Sequence, residues 1–235
     1  MIKKSCKIFP VVAFLVMGGL TSLSAQRIIY SDDFGGSREA SLNGCGPATR
    51  PGTEEWAARL MNPISIRDPR ADGSISGGAS GLVSGVLPFS LESGKVYTFT
   101  VNATIINPLN DGSTPATHWA GIAFRSTSSV DGTLAGDADF ASLIIRRNGG
   151  AQLTTRGGSG PINMGAGTFE EAASWGIEID TTQIPWTADF LIDGDPVESV
   201  RELNPSLVAG TAYISIGQFA SASVRFHELS LKVTP

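Results

Sequence analysis

The 235-residue chain carries 17 basic against 22 acidic residues, a formal charge of −5, with 41% apolar and 17% charged side chains. An acidic chain repels phosphate backbones, which excludes nucleic acid as an expected partner. Its length suits one all-β domain with its own core.

The opening residues read as a secretory signal over residues 1–25. Lys3, Lys4 and Lys7 form a basic head, Ile8 to Leu20 an apolar run broken by Pro10, and Thr21 to Ala25 a small polar stretch. The apolar run spans 13 residues, whereas crossing a bilayer takes about 20, so cleavage is the better reading and no membrane contact is expected afterwards. The mature chain then starts at Ala25 or Gln26 and forms a single domain over residues 26–235, exported to the periplasm or beyond. Losing three lysines from the 17 basic residues leaves 14 against 22 acidic ones. Cys6 departs with the signal, so Cys45 is the only thiol and no intrachain disulfide can form.

From there the dominant signal has period two. Thr53 to Leu60 could make two helical turns. In Val96 to Ile105 the residues Tyr97, Phe99, Val101, Ala103 and Ile105 share one face, with Thr98, Thr100, Asn102 and Thr104 on the other. Ala120 to Phe124 and Phe140 to Ile145 are apolar on both parities, as in strands covered on both sides. Thr168 with Glu171 has capping-box spacing over a short stretch. Trp175, Ile177 and Ile179 alternate with Glu178 and Asp180, then Trp186, Ala188, Phe190 and Ile192 alternate with Thr187 and Asp189. These two strands join through Thr181 to Pro185. In the last segment the apolar parity changes between Phe226 and Leu229, which predicts a bulge near His227. Glycine- and proline-rich turns separate the runs, and many short strands with almost no helix predict an all-β, two-sheet antiparallel sandwich.

The phrases "IIYSDDFGG", "HWAGIAF", "WGIEIDTT", "WTADFLIDG" and "SVRFHELSLKV" resemble the concanavalin A-like lectin/glucanase jelly rolls, including bacterial laminin-G-like domains. The likeness runs over most of residues 28 to 233. It implies a jelly-roll sandwich, a fold that hosts hydrolases, lectins and adhesion modules alike. In related bacterial architectures a sorting tail often follows such a domain; here the sequence stops at Pro235, so a released protein is expected.

The resemblance also points to a glycosidase family of this superfamily that carries Glu-x-Asp-x-x-Glu on one strand. Glu178 and Asp180 match the first two acids, but Gln183 holds the place of the third. An amide cannot act as general acid or base, so about 100- to 10,000-fold of rate would be missing. Alternation on a wet strand face also yields Glu-x-Asp readily, and no glycoside hydrolysis is expected. His118 and His227, the only histidines, accompany no nucleophile-elbow motif, and with one cysteine they lack the spacing of a zinc site.

Calcium is the one candidate cofactor, because acidic loops supply hard oxygen ligands; Asp32, Asp33, Asp131, Asp137 and Asp139 are the candidates, with solvated turn acids as the alternative. For glycan contact the useful groups are aromatic faces and turn arginines. Trp175 and Trp186 fall on core parity, leaving Trp56 and Trp119 as ligand candidates beside Arg146, Arg147 and Arg156. Three functions follow in order: a secreted non-catalytic carbohydrate-binding module whose partner is a polysaccharide or cell-surface glycan, an extracellular structural or adhesion protein, and a polysaccharide hydrolase. The oligomeric state stays open.

Overall fold

The computed structural model describes residues 25–34, 42–58, 75–76, 82–105, 118–130, 134, 139–157, 160–165, 167–169, 171–197, 201–204, 206–219 and 224–235. The signal segment therefore lies outside the described residues except for Ala25. Among the described residues, fifteen strands occur in chain order: β1 (Arg27–Asp32), β2 (Ala57–Ala58), β3 (Ile75–Ser76), β4 (Leu82–Leu91), β5 (Val96–Ile105), β6 (Trp119–Arg125), β7 (Asp139–Arg146) and β8 (Ala151–Thr155). They continue as β9 (Ile162–Met164), β10 (Ser174–Asp180), β11 (Thr187–Ile192), β12 (Asp195–Pro196), β13 (Arg201–Glu202), β14 (Gly210–Phe219) and β15 (Val224–Thr234).

Two antiparallel sheets stack face to face. Sheet A runs β1-β15-β5-β10-β11-β12, with β3 beside β15 and β13 beside β11; sheet B runs β2-β4-β14-β6-β7-β8-β9. The alternating greasy set of β5 turns inward, as do the matching sets of β10, β11 and β15. Aromatic rings tie the layers together across the core. Phe99 of sheet A meets Phe124 of sheet B edge-on at 5.9 Å between centroids, and Phe124 meets Phe89 at 5.8 Å. Phe89 in turn meets Tyr97 of sheet A at 5.5 Å. Edge-to-face pairs of this kind each add about 0.5–1.5 kcal/mol beyond the area that they bury.

Several sequence expectations meet their structural counterparts. β10 and β11 pair directly, Trp175 facing Ile192 and Asp180 facing Thr187. β15 slips register against β5 between Phe226 and Glu228, so the bulge sits at His227. The turn after β11 places Asp193 at φ 53° and Gly194 at φ 89°, the left-handed pair that a tight two-residue hairpin needs.

Two helix expectations fail. Ala57–Ala58 is a strand pairing with β4, while residues 59 and 60 lie outside the described set. Residues 167–169 and 171 form turns. The Thr168 hydroxyl donates to the Gly165 carbonyl at 2.8 Å instead of capping a helix. In both places the local propensity covers too few residues to nucleate a helix against competing strand pairing and turns.

Candidate functional site

The outer faces of the two sheets differ, and the candidate residues divide between them. On sheet B, β6 is buried at every position and β7 at all but its last. The inward parity fills the main core. The outward parity builds a second cluster from Trp119, Ala123, Ile144 and Leu134, with Phe219 packed against it. Described residues after β6 contribute cover: Leu134 is wholly buried, and the Ser84 hydroxyl donates to the Val130 carbonyl at 2.8 Å. Arg125 holds the loop's two ends, with Nε on Asp139 Oδ1 at 2.8 Å and Nη1 on the Ser129 carbonyl at 2.6 Å.

Strand register aligns the outward residues of sheet B into rows. Phe219, Trp119 and Arg146 form one row, and the Trp119 and Phe219 rings stack at 6.0 Å with 16° between planes. Gly217, Gly121, Ile144, Gln152 and Asn163 form the next. Ser215, Ala123, Ser142 and Thr154 form a third. The hydroxyls of Ser215, Ser142 and Thr154 are buried and have no hydrogen-bond partner. At the β8–β9 edge the row of amides reaches solvent, where Gln152 Nε2 donates to Asn163 Oδ1 at 3.0 Å.

Three sequence candidates thus meet at one end of this face: Trp119 and Arg146 across adjacent strands, and Arg147, whose backbone N–H donates to the His118 carbonyl at 3.0 Å. Trp119 is only 7% exposed, however, and belongs to the covered cluster rather than to a rim. Trp56, at 1% exposure, departs further from the expectation of a solvent-facing ring. It packs in the core over Gly85, where an added Cβ would stand 3.0 Å from Trp56 Cε3 and 2.9 Å from Leu42 Cδ2. Trp175 and Trp186 are core, as parity predicts.

Among the described residues, the calcium candidates Asp32, Asp33 and Asp139 form no metal-holding group. Asp139 is committed to Arg125 with both side chains 2% exposed, so a guanidinium already supplies its counter-charge. Asp32 is buried, and its Oδ1 accepts the Phe34 N–H at 3.0 Å within its own turn. Asp131 and Asp137 lie outside the described residues. Among the described residues no three His, Cys, Asp or Glu side chains gather closely enough to share a metal ion.

On sheet A the outer face is wet. Thr98, Thr100, Asn102 and Thr104 face outward between β15 and β10, with Thr98 opposite Glu178 on one side and Lys232 on the other. Glu178 Oε2 accepts the Thr98 hydroxyl at 2.9 Å. Asp180 Oδ1 accepts the N–H and hydroxyl of Thr182 at 2.7 and 2.6 Å, closing the β10–β11 turn. Gln183 is exposed in that turn. The structure adds a group that the motif search passes over: Asp189 of β11 lies directly across from Glu178. Partial burial raises the Asp189 carboxyl above the usual aspartate range, and the Asp180 charge raises it further. Period-two alternation already shows Asp189 outward; only the strand register shows it beside Glu178.

The described residues that are both large, apolar and exposed are Ile28, Ile184 and Val208, on three separate elements.

No family model matches the chain, and no curated protein matches it by sequence. Solved structures do match. An endo-1,3-beta-glucanase from Streptomyces sioyaensis is 13% identical at a TM-score of 0.52, over 90% of this chain and 98% of that one. The fold is that of the concanavalin A-like jelly rolls. A Bacillus subtilis protein with a galectin-like fold (12% identity, TM-score 0.49, 88% and 95% covered) and a legume lectin-like domain from Entamoeba histolytica (8%, 0.45, 66% and 79%) also match. At such identities the likeness concerns architecture alone.

Proposed function

We propose that the chain is a secreted, non-catalytic carbohydrate-binding module that holds a glycan against the outer face of sheet B, entering from the β8–β9 edge. The observation that carries this reading is the row of buried, unpartnered hydroxyls of Ser215, Ser142 and Thr154 beside the exposed amides of Gln152 and Asn163. A buried hydroxyl without a partner costs about 1–3 kcal/mol. Thr154 on β8 stands nearest the edge, and a hydroxyl-bearing ligand held there would offset its cost, since a hydroxyl can both donate and accept. The glucanase that shares the fold acts, by its name, on a 1,3-β-glucan, so that polymer is the first to test.

The test is a pull-down on insoluble polysaccharides, with the double variant Gln152→Ala/Asn163→Ala as control. The two side chains are at the surface, so the fold should persist. Retention of the parent chain and loss for the variant is expected. If no polysaccharide retains the parent, or the variant is held equally, the reading fails.

Hydrolysis is the second reading, favoured by Asp189. Directly opposed residues on an antiparallel pair stand about 5 Å apart at Cβ, close to the carboxyl spacing of retaining glycosidases, about 5–5.5 Å. Against it, Glu178 and Asp189 lie on the outer face of the other sheet, away from the hydroxyl row. Release of reducing ends from a β-glucan, abolished by Glu178→Ala and by Asp189→Asn, would establish this reading over the first.

A further inference from the structure

We propose that a second copy of this chain docks on the free edge of sheet B, β9 pairing antiparallel with the β9 of the copy around a two-fold axis at Asn163. β9 is the outermost strand of its sheet, and Pro161, Asn163 and Gly165 are exposed along it. Edges elsewhere carry a guard. Ser31 of β1 exchanges both backbone bonds with Thr49, Ala58 of β2 donates its N–H to Asn43 Oδ1 at 3.0 Å, and β12 carries Pro196.

Which groups β9 turns outward follows from the hairpin beside it. The Arg146 N–H donates to the Gly150 carbonyl at 2.7 Å, and on an antiparallel pair such bonds recur every second residue, so Ile144 and Gln152 are bonded across β7 and β8. Ala151 and Leu153 therefore turn their N–H and C=O groups to β9, onto Met164 and Ile162. That leaves the N–H and C=O of Asn163 facing solvent, flanked across trans peptides by the Pro161 C=O and the Gly165 N–H. The Gly165 C=O is already taken, accepting the Thr168 hydroxyl at 2.8 Å.

This set of donors and acceptors is its own complement. In an antiparallel copy centred on Asn163 the two Asn163 residues exchange both bonds, and each Gly165 N–H meets the other chain's Pro161 C=O. Pro161, which has no N–H, and Gly165, whose C=O is occupied, lose nothing by the pairing. On the inward face Ile162 lies opposite Met164 of the copy, and both are half-buried residues packed at the edge of the core. No charged residue stands between Arg156 and Glu170, so no like charges meet across the axis. The match about a two-fold axis selects a second copy over an unrelated extended peptide, and it uses up the edge on both chains, which closes the assembly at a dimer. The amides of Gln152 and Asn163 stay on the outer face, open to a glycan, and sheet B becomes one surface spanning two copies.

Dimerisation is read without any glycan, so it stands or falls apart from the glycan reading of sheet B. Sedimentation equilibrium of the protein should show a dimer in exchange with monomer at a Kd of about 0.1 mM, since so short a strand pairing makes a weak interface. Asn163→Asp sets two carboxylates directly opposite one another and should weaken the dimer about fivefold at neutral pH. Register is tested by oxidative cross-linking in a Cys45→Ser background. Hydrogen-bonded partners stand about 5.5 Å apart at Cα, within reach of a disulfide, so Asn163→Cys should cross-link to its own copy. Gln152→Cys, one strand further in on each side and about 14 Å from its copy, should not. An unchanged Tm in each variant verifies the fold. A protein that stays monomeric at about 1 mM, an Asn163→Asp variant that dimerises as the parent does, or equal cross-linking at the two positions would each overturn the proposal.

Discussion

The outer faces of the two sheets come from the same period-two pattern yet end in opposite states. On sheet A the outward residues of β5 after Val96 are all polar, and the row from Lys232 through Thr98 to Glu178 stays partly exposed. On sheet B the outward residues of β6 and β7 mix Trp119, Ala123 and Ile144 with Ser142, and Leu134 packs over them. Most polar side chains on sheet A meet water and cost little, the buried, unpartnered Ser230 hydroxyl being an exception. On sheet B a polar side chain must find a partner, and three hydroxyls do not. Three such hydroxyls share one register row on sheet B, and we read that face as the ligand face.

The largest expected effect tests what holds the cover down. Arg125→Ala leaves Asp139 buried and unpaired and should cost about 3–5 kcal/mol, measured by urea unfolding. A cost under about 1 kcal/mol would mean that the pair is not desolvated as its burial indicates. Next comes the orphan row. Ser215→Ala removes a buried hydroxyl without a partner, and should raise stability by roughly 1 kcal/mol, or about 2–4 °C in Tm. A variant that is destabilised would place an ordered water on that hydroxyl in the unliganded protein.

Asp189→Asn tests the wet face. A carboxyl whose folded value is raised above the ordinary 3.8 adds stability only while protonated, and that contribution disappears as pH rises through the folded value. At neutral pH the parent therefore bears the penalty of the charged, partly buried form, and the asparagine variant should be the more stable. The advantage should shrink toward zero as pH falls below 3.8. A pH-independent difference would assign it to packing. The smallest effect is expected from Thr98→Val, which removes the hydrogen bond to Glu178 on a solvated face and should stay within about 0.5 kcal/mol.

Much of the architecture can be read in particular residues. The faultless alternation of Tyr97 to Ile105 matches β5 inward face for inward face. The change of parity after Phe226 corresponds to the bulge at His227, and the double-sided apolar runs correspond to β6 and β7 at the centre of sheet B. The site is less legible. Ser142 stands as one polar residue inside an apolar run, a signal that is easy to pass over. That it shares a row with Ser215 and Thr154, 73 and 12 positions away in sequence, depends on register. Trp56 shows the converse: an aromatic in a polar context whose ring is nevertheless buried over Gly85.

By itself the sequence determined the layered all-β architecture and which parity of each strand is greasy, because side chains alternate faces with a fixed period whatever the strand's neighbours. Only the tertiary structure decided what stands beside what. Strand order and register set Asp189 against Glu178 and Arg125 against Asp139. Those juxtapositions are long-range, created when strands distant in sequence pair, and no local pattern of residues encodes them.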